Sequence, residues 1–375
     1  MNVIDLFSGA GGLSLGFIKH GYKIRKAVEY DSSIANTYKS NHPEVEMIVD
    51  DIQNIDHSNV FSKGDANVII GGPPCQGFSM AGSRIRNGFL DDPRNYLFKH
   101  YFNVVKTVRP EVFVMENVKG IQTMQNGELF QEILHLFSDS ELLDGQPYKL
   151  FDRVVKAVDF GIPQKRERMI IVGTTKDNIN FDNLWEETKK RIRDEIPTFF
   201  NRVTVADAIR NLPETTSSGE IENPIPSTDY QLYLSSSLNK LQNHTKTRHS
   251  QIAINRMSQV NNGENFTVLD EKISSVHSGS YGRLSWEDQA PTLTTRFDTP
   301  AGGRFIHPEE NRTLTPREAA RIQSFPDDFV FFGNKTSICK QIGNAVPPKL
   351  SYFLADFVKS ILLEGENKDE RDVKK

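Results

Sequence analysis

Five short apolar runs recur in the first 175 residues, at Val3–Phe7, Ala27–Val28, Ala66–Ile70, Val112–Met115 and Met169–Val172. Helix-like stretches separate them, at Leu13–His20, Ser32–Asn41, Tyr96–Val108 and Leu129–Phe137. Strands covered on both faces read as unbroken apolar runs, with the covering helices falling between them. The alternation predicts an α/β chain built on a doubly wound, mostly parallel, Rossmann-like sheet.

From about Asp177 the pattern lapses. Residues 213–229, PETTSSGEIENPIPSTD, are polar and punctuated by proline, which suits irregular backbone. Periodicity returns at Thr315–Ser324, where Thr315 reads as a helix cap with Pro316 in the first turn, and at Lys349–Leu363. Strong signals at both ends with a vague stretch between them predict a discontinuous large domain, 1–178 and 306–375. A smaller irregular lobe, 179–305, would be inserted into it. The charged end, residues 364–375, reads as a solvated tail without ordered structure.

Composition narrows the class. The 375 residues are 37% hydrophobic and 25% charged, and no run approaches a membrane span. VIDLF opens the chain as a strand, so no signal peptide is expected. Two cysteines are too few for a disulfide framework, and no Cys/His cluster suggests a metal. A reducing compartment, the cytoplasm or the nucleus, fits. The net charge of -4 argues against general coating of nucleic acid but leaves room for a local basic cleft.

VIDLFSGAGGLSLGF places a glycine turn between a strand and a helix, with Gly9, Gly11 and Gly12 allowing close backbone approach to a ligand. Glu29 follows about 20 residues on, where a carboxylate can accept from ribose hydroxyls. Asp51, with Ile52 beside it, is placed to take an adenine amino group. The glycine spacing is not that of a dinucleotide site. Alone the turn is a tight connection; with Glu29 and Asp51 it reads as a nucleoside-binding edge.

Three further groups sit near successive strand ends. Cys75 lies in GGPPCQGFS, Glu116 in FVMENV, and Arg166 and Arg168 in QKRERMIIVG. Singly, Cys75 is a small packing residue, Glu116 a helix cap and the arginines a surface charge run. Together they suit addition to cytosine. A thiolate adds at carbon-6, a carboxyl assists at ring N3, and a guanidinium holds the ring carbonyl. Cys339 has no such setting and reads as structural.

These motifs, with RTLTPREAARIQSFPDDF and QIGNAVPP near the far end, closely resemble the carbon-5 cytosine-specific DNA methyltransferases over nearly the whole length. The resemblance implies a class I methyltransferase fold, S-adenosylmethionine as cofactor and no metal, with Cys75 as nucleophile, Glu116 at N3, and Arg166 and Arg168 near the base. It implies cofactor contacts from Phe7, Gly9, Gly11, Gly12, Leu13, Glu29, Tyr30, Asp51, Ile52, Pro74, Leu97, Asn344 and Val346. Tyr30 stands where some members carry tryptophan. It also makes 1–178 and 306–375 the catalytic domain and 179–305 a target-recognition domain.

Double-stranded DNA is the partner so implied, with the target base extruded from the helix. Pro73 and Pro74 fix the start of the Cys75 loop. Beyond Cys75, Ser79, Arg84, Arg86 and Arg94 suit DNA backbone contacts as the loop closes. In the inserted lobe, HSGSYGRLSW and PTLTTRFDTPAGGRF offer Ser280, Tyr281, Arg283, Thr292, Leu293, Thr294 and Arg296, with Thr292–Leu293 matching a Thr-Leu pair of the family. Lys246, Arg248 and Arg256 meet phosphates or form a solvated helix face. The expected protein is a monomer of bacterial type, with a cognate restriction endonuclease as a further partner. The rival reading is a transfer-RNA cytosine methyltransferase of the same fold.

Overall fold

The computed structural model describes residues 1–74, 96–271, 273 and 278–364. Seven strands form the main sheet: β1 (Asn2–Leu6), β2 (Lys23–Val28), β3 (Glu46–Ile48), β4 (Val68–Gly71), β5 (Val112–Val118), β6 (Lys149–Lys156) and β7 (Glu167–Thr174). Their order is β3-β2-β1-β4-β5-β7-β6. The first five are parallel, and β7 pairs antiparallel with both β5 and β6. The expected mostly parallel, doubly wound sheet is what the chain forms.

Alternation along each strand divides two cores. Val3, Val68, Ile70, Val112, Val114, Ile170 and Val172 face one side; Ile4, Ile69, Phe113, Met115, Met169 and Ile171 face the other. The first core is closed by α1 (Gly12–Lys19) and α2 (Ser32–Asn41), and the second by α3 (Leu97–Val108) and α4 (Glu128–Ser138).

α5 (Phe181–Glu195) completes the first core, placing Leu184, Trp185 and Ile192 against Phe353, Phe357 and Ile361 of a long C-terminal helix. The first core therefore extends along the chain through Phe199. A third core joins residues 203–234 and 284–305 to the helix Pro316–Ile322 and to α6 (Lys335–Asn344). The C-terminal helix is α7 (Pro348–Glu364). It crosses α1 so closely that a Cβ on Gly16 would run into the backbone of Ser351 and Tyr352. This crossing brings the two ends of the chain together.

Capping follows the sequence. Thr315 Oγ1 accepts from Glu318 N at 3.1 Å and the Glu318 carboxylate accepts from Thr315 N, with Pro316 in the first turn. Among the described residues no helix is long and apolar enough to cross a membrane.

Candidate active site

At the carboxyl end of β1 the backbone turns through positive φ at Phe7 (57°), Gly9 (55°) and Gly11 (96°). Phe7 is no glycine, so its left-handed conformation costs about 1–3 kcal/mol and is held by its surroundings. Ser8 N donates to Val28 O and Gly11 N to Ser8 O, both at 3.0 Å. Glu29, at the end of β2, closes the turn: Gly9 N donates to its Oε2 at 3.0 Å and Asp31 N to its Oε1 at 2.9 Å. Burial pushes the Glu29 carboxyl up, and those two amides pull it back. Each oxygen keeps a lone pair for a further donor.

Tyr30 is 56% exposed, whereas Leu13, Ile52, Leu97 and Val346 are buried apolar residues. Asp51 is half-buried and accepts from Gln53 N at 3.0 Å. Asn344 ends α6, and Val346 O lies where a Cβ on Gly12 would intrude. The glycine turn and the QIGNAVPP segment, more than 300 residues apart, are thus adjoining walls. A carboxylate with spare acceptor capacity, an exposed flat ring and close-approaching glycine backbone fit a nucleoside-type ligand.

Beneath this edge lies a buried polar chain that the sequence reading missed. Ser14 Oγ donates to Asp5 Oδ2 at 2.6 Å and lies 2.8 Å from the Tyr38 hydroxyl. Burial raises the Asp5 carboxyl to about 7, the Ser14 hydrogen bond opposing and Glu29 adding to the rise. A serine spaced nine residues after a strand aspartate was the available signal.

The second group gathers where β4, β5 and β7 meet. Glu116 on β5 and Arg168 on β7 form an ion pair, Oε1 to Nε 2.8 Å, both largely buried. Arg168 pairs in register with Val118, two residues along from Glu116, so both side chains leave the same face. Gly72 lies directly over the carboxylate: a Cβ there would sit 3.1 Å from Glu116 Oε2. Asn117 Nδ2 donates to Pro73 O at 3.0 Å, fixing the chain immediately before Pro74. Asn117 stands in the quoted FVMENV motif, but its side-chain role was not anticipated.

Cys75, Ser79, Arg84, Arg86 and Arg94 lie outside the described residues. Cys339 is buried, and burial pushes its thiol up to about 12, in keeping with a packing role.

Arg166 is placed differently from Arg168. It is 2% exposed and donates to Gly343 O at 3.0 Å and Asn344 O at 3.5 Å. Burial and then Arg168 push its pKa down, with Glu116 opposing. These bonds tie the arginine motif to the C-terminal wall, and the Arg166 Nε is buried without a partner among the described residues. Gln164 extends the same web: it donates to Gln323 Oε1 at 2.8 Å and accepts from Leu293 N at 2.8 Å. Thr292 Oγ1 donates to Lys165 O at 3.0 Å. The Thr292–Leu293 pair therefore tethers its loop to the arginine motif.

The remaining recognition candidates divide. Arg283 is 5% exposed, and all its N–H groups reach protein acceptors: Val260 O, His307 O, Glu310 O, Met257 O and Asn311 Oδ1, at 2.6–2.9 Å. A guanidinium so engaged has no donor left for a base, and the expectation of base contact gives way to a scaffolding role. Ser280 is buried and donates to Ala301 O at 2.9 Å; Tyr281 is 8% exposed, its hydroxyl 3.3 Å from an Arg256 nitrogen. Arg256 itself pairs with Glu271. Thr294 is half-buried and Arg296 exposed, so these two remain accessible. Among the described residues no group of His, Cys, Asp and Glu is placed to hold a metal ion.

The sequence model of the C-5 cytosine-specific DNA methylases matches residues 1–360. The chain belongs to that family. It is similar to the Type II methyltransferase M1.HphI of Haemophilus parahaemolyticus, 35% identical over 363 residues, covering 96% of this chain and 86% of that one. It is 34% identical over 383 residues to the Type II methyltransferase M.DdeI of Desulfomicrobium norvegicum, covering 95% and 88%. A solved structure of a DNA modification methyltransferase encoded within an E. coli prophage superposes with a TM-score of 0.74 at 30% identity, covering 96% of this chain and 99% of that one. As a member of the C-5 methylases the protein is a methyltransferase, and its sheet is that of its relatives.

Proposed function

We propose that this methylase transfers a methyl group from S-adenosylmethionine to carbon-5 of a cytosine extruded from duplex DNA, through an adduct of Cys75 at carbon-6. The observation that carries the reading is the Glu116–Arg168 pair, set against Gly72 and Pro73, just before Cys75 in sequence, on the sheet whose β1 and β2 lead into the nucleoside-type edge.

The Cys75 thiolate adds to carbon-6, and the ring electrons it displaces collect on carbon-5. Glu116 supplies the hydrogen bond or proton at N3 that makes this addition easier. Arg168 turns from Glu116 to the ring carbonyl. The cofactor, when bound, provides an electrophilic methyl group. Carbon-5 takes that methyl, a base removes the carbon-5 proton, and the returning electrons expel the Cys75 sulfur.

In this reading Glu29 binds the ribose, Tyr30 and Ile52 flank the adenine, and Asp51 meets its amino group. Phe7, Gly9, Gly11, Gly12, Leu13, Pro74, Leu97, Asn344 and Val346 shape the remainder. Ser79, Arg84, Arg86 and Arg94 grip the DNA backbone, and Thr294 and Arg296 read the grooves. The domain arrangement is a catalytic unit at both chain ends with an inserted recognition lobe. The enzyme acts as a monomer in a bacterial cytoplasm, with a restriction endonuclease cutting the same unmodified site.

Transfer of radiolabelled methyl to mixed-sequence duplex DNA and to transfer RNA tests the reading. Label in DNA supports it, and bisulfite sequencing then identifies the cytosine. Label in RNA alone would replace the substrate and keep the chemistry.

A further inference from the structure

Tyr30 is an exposed aromatic ring whose hydroxyl is nevertheless held. Lys340 Nζ donates to the Tyr30 hydroxyl at 3.1 Å and pairs with Asp31 Oδ2 at 3.2 Å. The amine is 5.3 Å from the ring centroid, which with the shorter distance to oxygen puts it past the hydroxyl rather than over a face. Among the described residues no other ring packs against Tyr30, and the residue is 56% exposed, which leaves surface for a ligand. Lys340 stands four residues before Asn344 on α6, hence on the same side of that helix. One helix face thus carries the residue that holds the ring and the residue at the C-terminal wall.

We infer that Lys340 is a positioning residue for the cofactor's purine: through the Tyr30 hydroxyl it fixes the ring against which the adenine stacks. The inference rests on the S-adenosylmethionine reading above. It also gives the tyrosine a reason. An indole has no acceptor at this place, so a tryptophan would stack without being held by Lys340. Asp31 keeps Lys340 in reach, because its other oxygen caps α2 by accepting from Ser33 N at 3.0 Å. A free aromatic side chain must lose rotamer freedom when a ligand stacks on it, and a ring already held loses less.

The test is calorimetric titration of S-adenosylmethionine and of S-adenosylhomocysteine into the full chain. Wild type is compared with Tyr30→Phe, Lys340→Met, the double variant and Lys340→Arg. Tyr30→Phe keeps the ring and the Lys340–Asp31 pair and removes only the hydroxyl. We expect each of Tyr30→Phe and Lys340→Met to weaken binding by about 3- to 10-fold. The double variant should be no weaker than the weaker single, and Lys340→Arg should recover most of the affinity. In turnover the loss should fall on the KM for the cofactor rather than on kcat. Unchanged affinity in Tyr30→Phe, or additive losses in the double variant, would overturn the inference while leaving the cofactor reading intact. A wild type that binds neither ligand would overturn both.

Discussion

Glu116 and Arg168 meet diagonally across the antiparallel β5–β7 pair, 2.8 Å apart, and carboxylate and guanidinium each hold the other away from solvent. Replacing Glu116 by glutamine keeps the shape and removes the proton relay. Single-turnover methylation should fall about 10²–10⁴-fold, the range of a lost general acid. Cofactor affinity, measured by titration, should stay within about twofold of wild type because Glu116 is remote from the Glu29 edge.

Gly72 permits this geometry. An alanine there would place its Cβ 3.1 Å from Glu116 Oε2, closer than a carboxylate tolerates without moving a few tenths of an ångström. Gly72→Ala should lower kcat about tenfold, equivalent to ~1.4 kcal/mol in the barrier. Its thermal midpoint should move by no more than ~4 °C. A large loss of stability with normal kcat in the folded fraction would remove Gly72 from the site.

Arg283 and Arg296 should separate by experiment. Arg283→Lys leaves several of five protein acceptors unsatisfied, so we expect destabilisation of about 3 kcal/mol by denaturant titration. Arg296→Ala should leave stability alone and weaken DNA binding, at about 1–3 kcal/mol if it contacts a guanine. A stable Arg283→Lys protein with altered site preference would restore Arg283 to base reading.

Asp5 gives a pH dependence. Its folded carboxyl titrates at about 7 against 3.8 unfolded, mainly because it is buried. Between those values the folded state keeps a proton that the unfolded state releases, so this group's contribution to stability falls as pH rises from about 4 to about 7. The full difference is roughly 4 kcal/mol at about 1.4 kcal/mol per pH unit. Glu318 acts oppositely. Despite burial, paired Arg312 holds it down to about 2, so its stabilisation is present above about 4.5 and is lost toward pH 2. In Asp5→Asn the stability relative to wild type should rise through the pH 4–7 window in urea titrations. A difference independent of pH would mean that Asp5 is equally charged in both states.

The sheet was legible because its central strands are buried on both faces, and Val3–Phe7 or Val112–Met115 cannot hide that. β6 was not, since as an edge strand it interleaves Lys149, Asp152, Arg153 and Lys156 with its apolar residues. α5 was passed over for a similar reason. Its buried residues, Leu184, Trp185, Thr188 and Ile192, form one narrow stripe among nine charged ones. The site's members were legible from residue type and motif order, and the structure adds their partners. Glycine-rich, arginine-bearing loops look alike whether the arginine faces DNA or folds inward. Arg283 and Arg296 differ only in which carbonyls surround them, and those come from residues 257–260 and 307–310, distant in sequence.

The Cys75 adduct can be captured directly by a covalent trap. Duplex DNA synthesised with 5-fluorocytosine in place of cytosine is incubated with S-adenosylmethionine and either wild-type protein or Cys75→Ser. Fluorine at carbon-5 cannot leave as a proton, so the sulfur is not expelled. Wild type should give a denaturation-resistant complex with the mass of protein plus methylated DNA, and Cys75→Ser should give none. Methylation of ordinary duplex DNA by wild type without any trapped complex, or by Cys75→Ser at an appreciable rate, would contradict it.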